Sequence, residues 1–159
     1  MNTIEIAPAL TTLFVELVEG APATSAYVLN QGDPGLLRSL DKIDAAAASR
    51  VHAAGSSIAA HVDHVRYGLA LFNRWAAGAN PWADADWSAS WRKTTVSETE
   101  WKQLQADLGD EARRWAGTIG RPRDVGAVEL NGIIGSIAHI AYHLGAIRQI
   151  DRGTRGPSA

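Results

Sequence analysis

The sequence predicts an all-α protein, folded as a four-helix bundle with one extra short helix and a Trp-rich loop. Hydrophobic residues recur at helical spacing in four long stretches, and no stretch has a convincing strand pattern. The 159 residues are 46% hydrophobic and 20% charged, which is typical of a globular chain of one domain. We therefore predict a single helical domain over residues 1–150 and a flexible polar tail over residues 151–159.

The first long helix and the short helix are predicted near the N-terminus. Pro8 fits only the first turn of a helix because it lacks a backbone N–H, and Gly20 with Pro22 ends the segment. The apolar stripe of this helix is Ile6, Leu10, Leu13, Phe14, Leu17 and Val18. Asp33 and Pro34 then suit the start of the short helix. Its apolar residues are Leu36, Leu37, Leu40 and Ile43.

The second long helix and the Trp-rich loop follow. Ser56 and Ser57 are candidate N-caps, and Gly78 lies just beyond the predicted helix end. The inward stripe of this helix is Ile58, His61, Val62, Val65, Leu69 and Phe72. Helical spacing is lost over residues 79–96, where Trp82, Trp87 and Trp91 occur. Because aromatic side chains gain much from burial, we expect this loop to pack onto the protein, as plain packing or as a cover over one end of a cavity.

The third and fourth long helices complete the predicted bundle. Ser97 and Glu100 form the S-x-x-E pattern of a capping box, and Gly120 with Pro122 ends the third helix. Its stripe is Trp101, Leu104, Leu108, Ala112, Trp115 and Ile119. The last helix begins near residues 125–128 and ends at about Ile150. Residues 130–147 have no charged side chain and approach the length of a membrane span, but polar residues and glycines interrupt them, so we predict the most buried helix of a soluble bundle.

Composition and motifs exclude several classes of function. The 15 basic and 17 acidic residues give a formal net charge of −2 without a basic block, so we expect no nucleic-acid partner. The absence of cysteine excludes a disulfide scaffold, a thiolate metal site and a Cys nucleophile. G-x-S-x-G, P-loop and H-E-x-x-H motifs are also absent. The first residues lack the features of a signal peptide, and we expect a cytoplasmic protein with no membrane partner.

Four of the five histidines form two pairs at helical spacing. His139 and His143 are four residues apart on the last helix, which places them on one face with Cβ atoms about 5–6 Å apart. His61 and His64 are three residues apart on the second long helix. Helical bundles build metal sites from side chains on facing helices, so the two pairs are candidates for such a site. Histidines in helices are also often ordinary core or surface residues, and that alternative stays open.

The last helix carries its histidine pair on a face of small residues. Gly132, Ser136 and Ala146 share this face with His139 and His143. A solvent-exposed face normally has charged residues, and this face has none. We therefore expect it to be internal and to leave room for a ligand. The opposite, apolar stripe is Ile133, Ile137, Ile140, Leu144 and Ile147.

His61 is the better candidate for a third metal ligand. It lies three residues after Ile58 and four before Val65, on the inward stripe, whereas His64 is rotated toward the flank. We therefore expect His61 to bind the metal, and His64 to be an outer-shell or solvated residue. His52 lies in an irregular Ala/Gly segment, and we interpret it as a surface residue.

Three neutral histidines suit Zn²⁺, Ni²⁺ or Fe²⁺ and leave a coordination position open for water or substrate. Such an open site is typical of catalytic metals, because structural zinc sites are usually closed by four protein ligands. Asp63 and Glu129 are candidate outer-shell partners, and each is equally a candidate surface or helix-end carboxylate. Tyr142 and Arg148 flank the histidine pair and are candidates for contact with an anionic substrate, although Arg148 also suits a helix C-terminus.

Residues 57–66 (SIAAHVDHVR) and residues 138–149 (AHIAYHLGAIRQ) together resemble the DinB-like superfamily. The resemblance implies a four-helix bundle in which one histidine of the second long helix and a His-x-x-x-His pair of the last helix bind a metal. Carried over by position, the implied ligands are His61, His139 and His143. The common family form ends in His-His-Arg-Gly-Gln, whereas this chain continues after His143 with Leu-Gly-Ala-Ile-Arg-Gln.

The resemblance also implies an activity and an assembly. Relatives include metal-dependent S-transferases and isomerases that use low-molecular-weight thiols such as mycothiol or bacillithiol, whose thiol a metal would hold and deprotonate. Zn²⁺ or Ni²⁺, a small-molecule substrate and a homodimer are the matching expectations. Two alternatives stay open, a non-catalytic metal- or ligand-binding protein related to stress and a structural bundle with incidental histidines.

Overall fold

The computed structural model describes residues 3–51 and 55–157. Within these ranges the protein is all-helical and has no β-strand, which confirms the predicted all-α class. The helices are α1 (Ala7–Glu19), α2 (Gly35–Leu40), α3 (Ala45–Ala48), α4 (Ile58–Ala76), α5 (Glu98–Ile119) and α6 (Ala127–Ile150). Short 3-10 turns occupy Pro81–Ala83, Ala89–Trp91 and Arg152–Thr154. Two short helices precede α4 rather than the single one predicted, because Asp44 caps a second one by accepting from the backbone N–H of Ala47 at 2.7 Å.

The long helices begin and end where local chemistry predicts. Ser57 caps α4 by accepting from the Ala60 N–H at 3.2 Å. Ser97 and Glu100 form the full reciprocal capping box at the start of α5. Gly20 ends α1 with φ 111°, a left-handed conformation that other residues rarely adopt. These boundaries depend on side chains within three residues, which explains why the sequence alone predicts them.

The four long helices share one hydrophobic core. Helix α4 packs against α5 and α6, and α1 packs against α2, α5 and α6. Two buried tryptophans of α5 tie this core together through their indole N–H groups. Trp101 donates to the carbonyl of Ile43 at 2.7 Å, and Trp115 donates to Oγ of Ser136 on α6 at 2.8 Å. A buried indole N–H needs an acceptor, so these bonds fix α5 against α6 and against the segment before α3.

Helix α6 is less buried than the sequence predicts. Six of its 24 residues are buried, against 12 of 19 in α4, so the expectation that α6 is the most buried helix is wrong. Its predicted apolar stripe does face the core, but Ile134 and Tyr142 on another face are exposed. The missing charges therefore reflect a partly exposed surface of small and apolar residues. By length and composition alone, α6 is also the one helix in the described ranges that is long and apolar enough to cross a membrane.

The segment after α6 contacts α2 and the loop before it. Thr154 is buried, and its carbonyl accepts from Oγ of Ser39 at 3.2 Å. The carbonyl of Pro157 accepts from Nδ2 of Asn30 at 2.7 Å. The sequence does not predict these contacts, because the partners lie more than 100 residues away and no local pattern reveals them. The flexible polar tail over residues 151–159 stays a prediction.

A buried carboxylate organises the loop after α1. Glu16 of α1 is buried, and its two oxygens accept backbone N–H groups of Tyr27, Val28 and Leu29 at 2.7 to 3.1 Å. Charge-assisted bonds of this kind are stronger than neutral ones. The loop therefore depends on one side chain of α1 for its backbone conformation.

Replacing that carboxylate tests its role. We expect Glu16→Ala to lower the free energy of unfolding by about 2–3 kcal/mol, because three backbone N–H groups lose a charged acceptor. Glu19→Ala is the matched control on the same helix, where the side chain forms an exposed pair with Arg113, and we expect a loss of about 0.5 kcal/mol. Urea unfolding of the two variants measures the difference, and equal losses would contradict the assignment.

Candidate metal centre

Helices α4 and α6 bring both histidine pairs to one place. His61 and His64 lie one turn apart on α4, and His139 and His143 lie one turn apart on the contacting face of α6. His61, His64 and His143 are buried, and His139 is half-buried. The packing of α4 on α6 thus brings the two histidine pairs together, as expected.

Three imidazole nitrogens converge within this cluster. The Nε2 atom of His139 lies 3.1 Å from Nε2 of His64 and 3.0 Å from Nε2 of His143. Within residues 3–51 and 55–157, these three side chains form the one group of His, Cys, Asp or Glu residues whose ligand atoms lie within 4.8 Å of one another. Tetrahedral zinc with bonds of 2.0–2.1 Å would separate its ligand nitrogens by about 3.3 Å. The spacing therefore fits an ion of this size after a small outward shift of the rings.

His61 lies beside this trio rather than within it. Its Nδ1 atom is 2.9 Å from Nδ1 of His143, the nitrogen that faces away from His139. The structure therefore brings His64 into the trio, where the sequence predicted His61. Of the two alternatives expected for His64, an outer-shell or a solvated residue, the second does not hold, because His64 is 8% exposed. The assignment of His61 as a ligand stays a prediction, and its position here is that of a hydrogen-bond partner of His143.

Ser90 sets which nitrogen of His64 carries the proton. Its Oγ lies 2.7 Å from the carbonyl oxygen of Trp87 and 2.7 Å from Nδ1 of His64. A carbonyl oxygen can only accept, so the hydroxyl proton goes to Trp87 and Nδ1 of His64 donates to Oγ. Nε2 of neutral His64 then keeps a free lone pair toward the trio. Metal-binding histidines are usually oriented by an outer hydrogen bond of this type.

The Trp-rich loop covers the cluster, in agreement with the expectation that it packs onto the protein. Trp91 stacks on His64 with ring centres 4.4 Å apart, and meets His61 edge-on at 5.1 Å. Trp87 lies 5.6 Å from His64. Trp82 packs elsewhere, against Phe72 at 5.5 Å. Two of the three loop tryptophans therefore pack against the histidines of α4.

Burial lowers the pKa of all four imidazoles, because a low-dielectric interior disfavours the charged imidazolium. The pKa of His143 falls to about 3, first by burial and then by repulsion from the other three imidazoles. The pKa of His64 falls to about 4, first by burial and then by repulsion from His139 and His61. At neutral pH the cluster is therefore uncharged, which is the protonation state that binds metal ions.

This shift makes the metal-free protein sensitive to acid. An unfolded histidine has a pKa near 6.5, so below that pH the unfolded chain binds protons that folded His64 and His143 do not. We expect the free energy of unfolding to fall as the pH drops from about 6.5 to 4, by up to about 1.4 kcal/mol per pH unit for each such histidine. Urea unfolding of chelator-treated protein at several pH values measures the slope. His64→Gln should have a shallower slope, and an unchanged slope would refute the prediction.

Most of the other candidate residues are engaged in ion pairs. Three of them pair as Asp63 with Arg66, Glu129 with Arg123, and Arg148 with Asp33. Arg148 forms two bonds to the buried Asp33 carboxylate, at 2.6 and 3.0 Å, so it is committed to that acid rather than free for an anionic substrate. Tyr142 is exposed, with its ring 5.0 Å from that of His143. His52 lies outside the described residues.

Comparisons with protein-family models, with curated proteins and with solved structures find no match to this chain. The resemblance to the DinB-like superfamily therefore stays an expectation from helix order and spacing and mainly from the two histidine-containing segments.

Proposed function

We propose that the protein binds a divalent metal ion through His64, His139 and His143, with Zn²⁺ or Ni²⁺ as the preferred ion. The observation that supports this most is the convergence of three Nε2 atoms, 3.0 and 3.1 Å apart, from two different helices. Imidazole nitrogen is a favoured ligand of both ions. The lowered pKa values keep these ligands neutral at physiological pH.

Hydrogen bonding alone is a poor explanation for this convergence. A neutral imidazole has one N–H, and that of His64 donates to Oγ of Ser90. Nε2 of His139 faces two other Nε2 atoms but has at most one proton to share between them. A cation at the centre of the three nitrogens would satisfy all of their lone pairs.

We also propose that the four long helices form a DinB-like bundle and that the protein is an enzyme. The candidate reaction is an S-transfer, in which a low-molecular-weight thiol such as mycothiol or bacillithiol reacts with an electrophilic substrate. A related isomerisation that uses such a thiol is the other candidate. When bound, the ion would hold and deprotonate the cosubstrate thiol. Three protein ligands support this proposal, because they leave a coordination position for the sulfur. A non-catalytic metal-binding protein is the alternative.

Assembly and location follow as proposals from the same resemblance. We propose a cytoplasmic homodimer that acts on a small molecule. Ile134 of α6 is an apolar residue that is exposed in the single chain, and it supports an association surface on that side of the helix.

Metal content and turnover test the proposed function. Untagged protein purified without chelator should contain about one ion per chain, or take up one Zn²⁺ or Ni²⁺ after chelator treatment. His139→Ala should lose this ion, whereas His52→Ala, the histidine outside the two pairs, should retain it. A protein that holds no ion and takes up neither Zn²⁺ nor Ni²⁺ would rule out the metal site.

Enzymatic activity needs a separate measurement on the loaded protein. A panel of thiols and electrophiles should give product with the wild type and none with His143→Ala. Binding of thiols without product across the panel would favour the non-catalytic alternative, because the metal site would then be present without chemistry.

A further inference from the structure

A cleft opens on the side of the histidine cluster where His61 lies. Its volume is about 560 Å³, within the range of small-molecule sites. Eight described residues line it, and none of them carries a charge at neutral pH. Trp91 and Tyr142 contribute aromatic surface, while Ser56 and Gln149 contribute neutral polar groups.

The cleft reaches the candidate metal site through two residues. His61 lines the cleft and has its Nδ1 2.9 Å from Nδ1 of His143. Trp91 lines the cleft and stacks on His64. A molecule in the cleft would therefore contact side chains that themselves touch two of the three proposed ligands.

The lining selects for uncharged groups. A carboxylate or phosphate in this cleft would lose part of its hydration and would meet no cation in the described lining, which is unfavourable for a charged group. Arg148 is on the same helix as Tyr142 and Gln149, but it belongs to a different cleft and is bound to Asp33. Flat rings gain from contact with aromatic side chains, and an amide or carbonyl end can bond to Gln149 or Ser56.

We infer that this cleft binds an uncharged, planar organic group that has a neutral hydrogen-bonding end. That this molecule is the substrate of a metal-dependent reaction rests on the proposed function, whereas its binding in the cleft does not. The cleft and its lining exist whether or not the histidines hold an ion, so its binding can be measured separately.

Benzamide and benzoate are a matched pair of probes, because both are flat and differ in charge. We would titrate each into ¹⁵N-labelled, metal-free full-length protein and follow the backbone amides of Ser56, Tyr142 and Gln149. Benzamide should shift these signals saturably and bind at least about tenfold more tightly than benzoate. Cyclohexanecarboxamide, which has the amide but no flat ring, should bind more weakly than benzamide.

Two variants localise the binding to the cleft. Ala146→Trp fills the cleft and should abolish benzamide binding, and Tyr142→Ala should weaken it at little risk to folding, because Tyr142 is 69% exposed. Tyr27→Ala removes an equally exposed tyrosine outside the cleft and should change nothing. Benzoate binding as tightly as benzamide, or benzamide binding that survives both cleft variants, would overturn the inference.

A zinc titration of the same samples separates this inference from the proposed function. Benzamide binding without zinc uptake would support the inference about the cleft and contradict the proposed metal site. Zinc uptake with no benzamide shift at the three reporter amides would leave the metal site and overturn the assignment of the cleft.

Discussion

His64→Ala is expected to abolish stoichiometric metal binding, with an affinity loss beyond the 10- to 100-fold typical of an outer-shell change. The reason is geometric, since Nε2 of His64 lies 3.1 Å from Nε2 of His139 and belongs to the converging trio. Without it, two imidazoles of α6 remain, and two neutral ligands hold a divalent ion far less tightly than three. Competition with a chromophoric chelator measures the zinc affinity of each variant.

His61→Ala is the informative partner of that variant. In the structure Nδ1 of His61 contacts Nδ1 of His143, which is not the nitrogen that faces the trio. Loss of the His61 side chain should therefore weaken zinc binding by at most about 100-fold and leave one ion per chain. The resemblance to the DinB-like superfamily implies the reverse, with His61 as a ligand and His64 dispensable. Loss of the ion in His61→Ala together with its retention in His64→Ala would therefore refute the assignment of His64.

X-ray absorption of the zinc-loaded protein gives an independent readout. Wild type and His61→Ala should both show three imidazole ligands, because His64, His139 and His143 are intact in each. Circular dichroism checks that each variant folds. A wild-type spectrum with four imidazoles would show that His61 joins the trio, and would contradict its role as an outer partner.

The sequence predicts the helices well because their boundaries depend on local chemistry. Ser57 and the Ser97–Glu100 box cap α4 and α5 within one turn, and the four-residue spacing of His139 and His143 places both on one face. Exposure is harder to predict. A face without charges has the same sequence pattern whether another helix or solvent covers it, so the sequence predicts more burial for α6 than the structure shows.

The choice between His61 and His64 depends on a long-range contact. Judged by the apolar stripe of α4 alone, His64 lies on the flank. The Trp-rich loop returns to that flank, and Trp91 stacks on His64, which buries a residue that the stripe leaves outside. For the same reason the sequence does not single out Ser90, since it belongs to no periodic pattern. The one signal in the sequence was its position between two tryptophans of a loop expected to pack down.

Ser90→Ala is expected to lower zinc affinity by about 10- to 100-fold while the three proposed ligands remain in place. Oγ of Ser90 accepts the Nδ1 proton of His64, because its own proton is donated to the Trp87 carbonyl. Removing Oγ leaves that N–H without its acceptor and frees the ring to move its proton to Nε2, where it would block the metal. The affinity loss would thus arise from a changed tautomer and orientation of His64 rather than from a missing ligand.

The ¹⁵N shifts of the His64 ring distinguish this role from a general loss of packing. Metal-free wild type should show the proton on Nδ1, whereas Ser90→Ala should show it partly on Nε2, with both proteins folded at neutral pH. Ser90→Thr restores a hydroxyl and should recover affinity, and Ser88→Ala removes an exposed hydroxyl of the same loop and should have no effect. If Ser90→Ala keeps the wild-type tautomer and affinity, the hydrogen bond does not position His64. The His64 ring would then be oriented by its packing against Trp91 and Trp87.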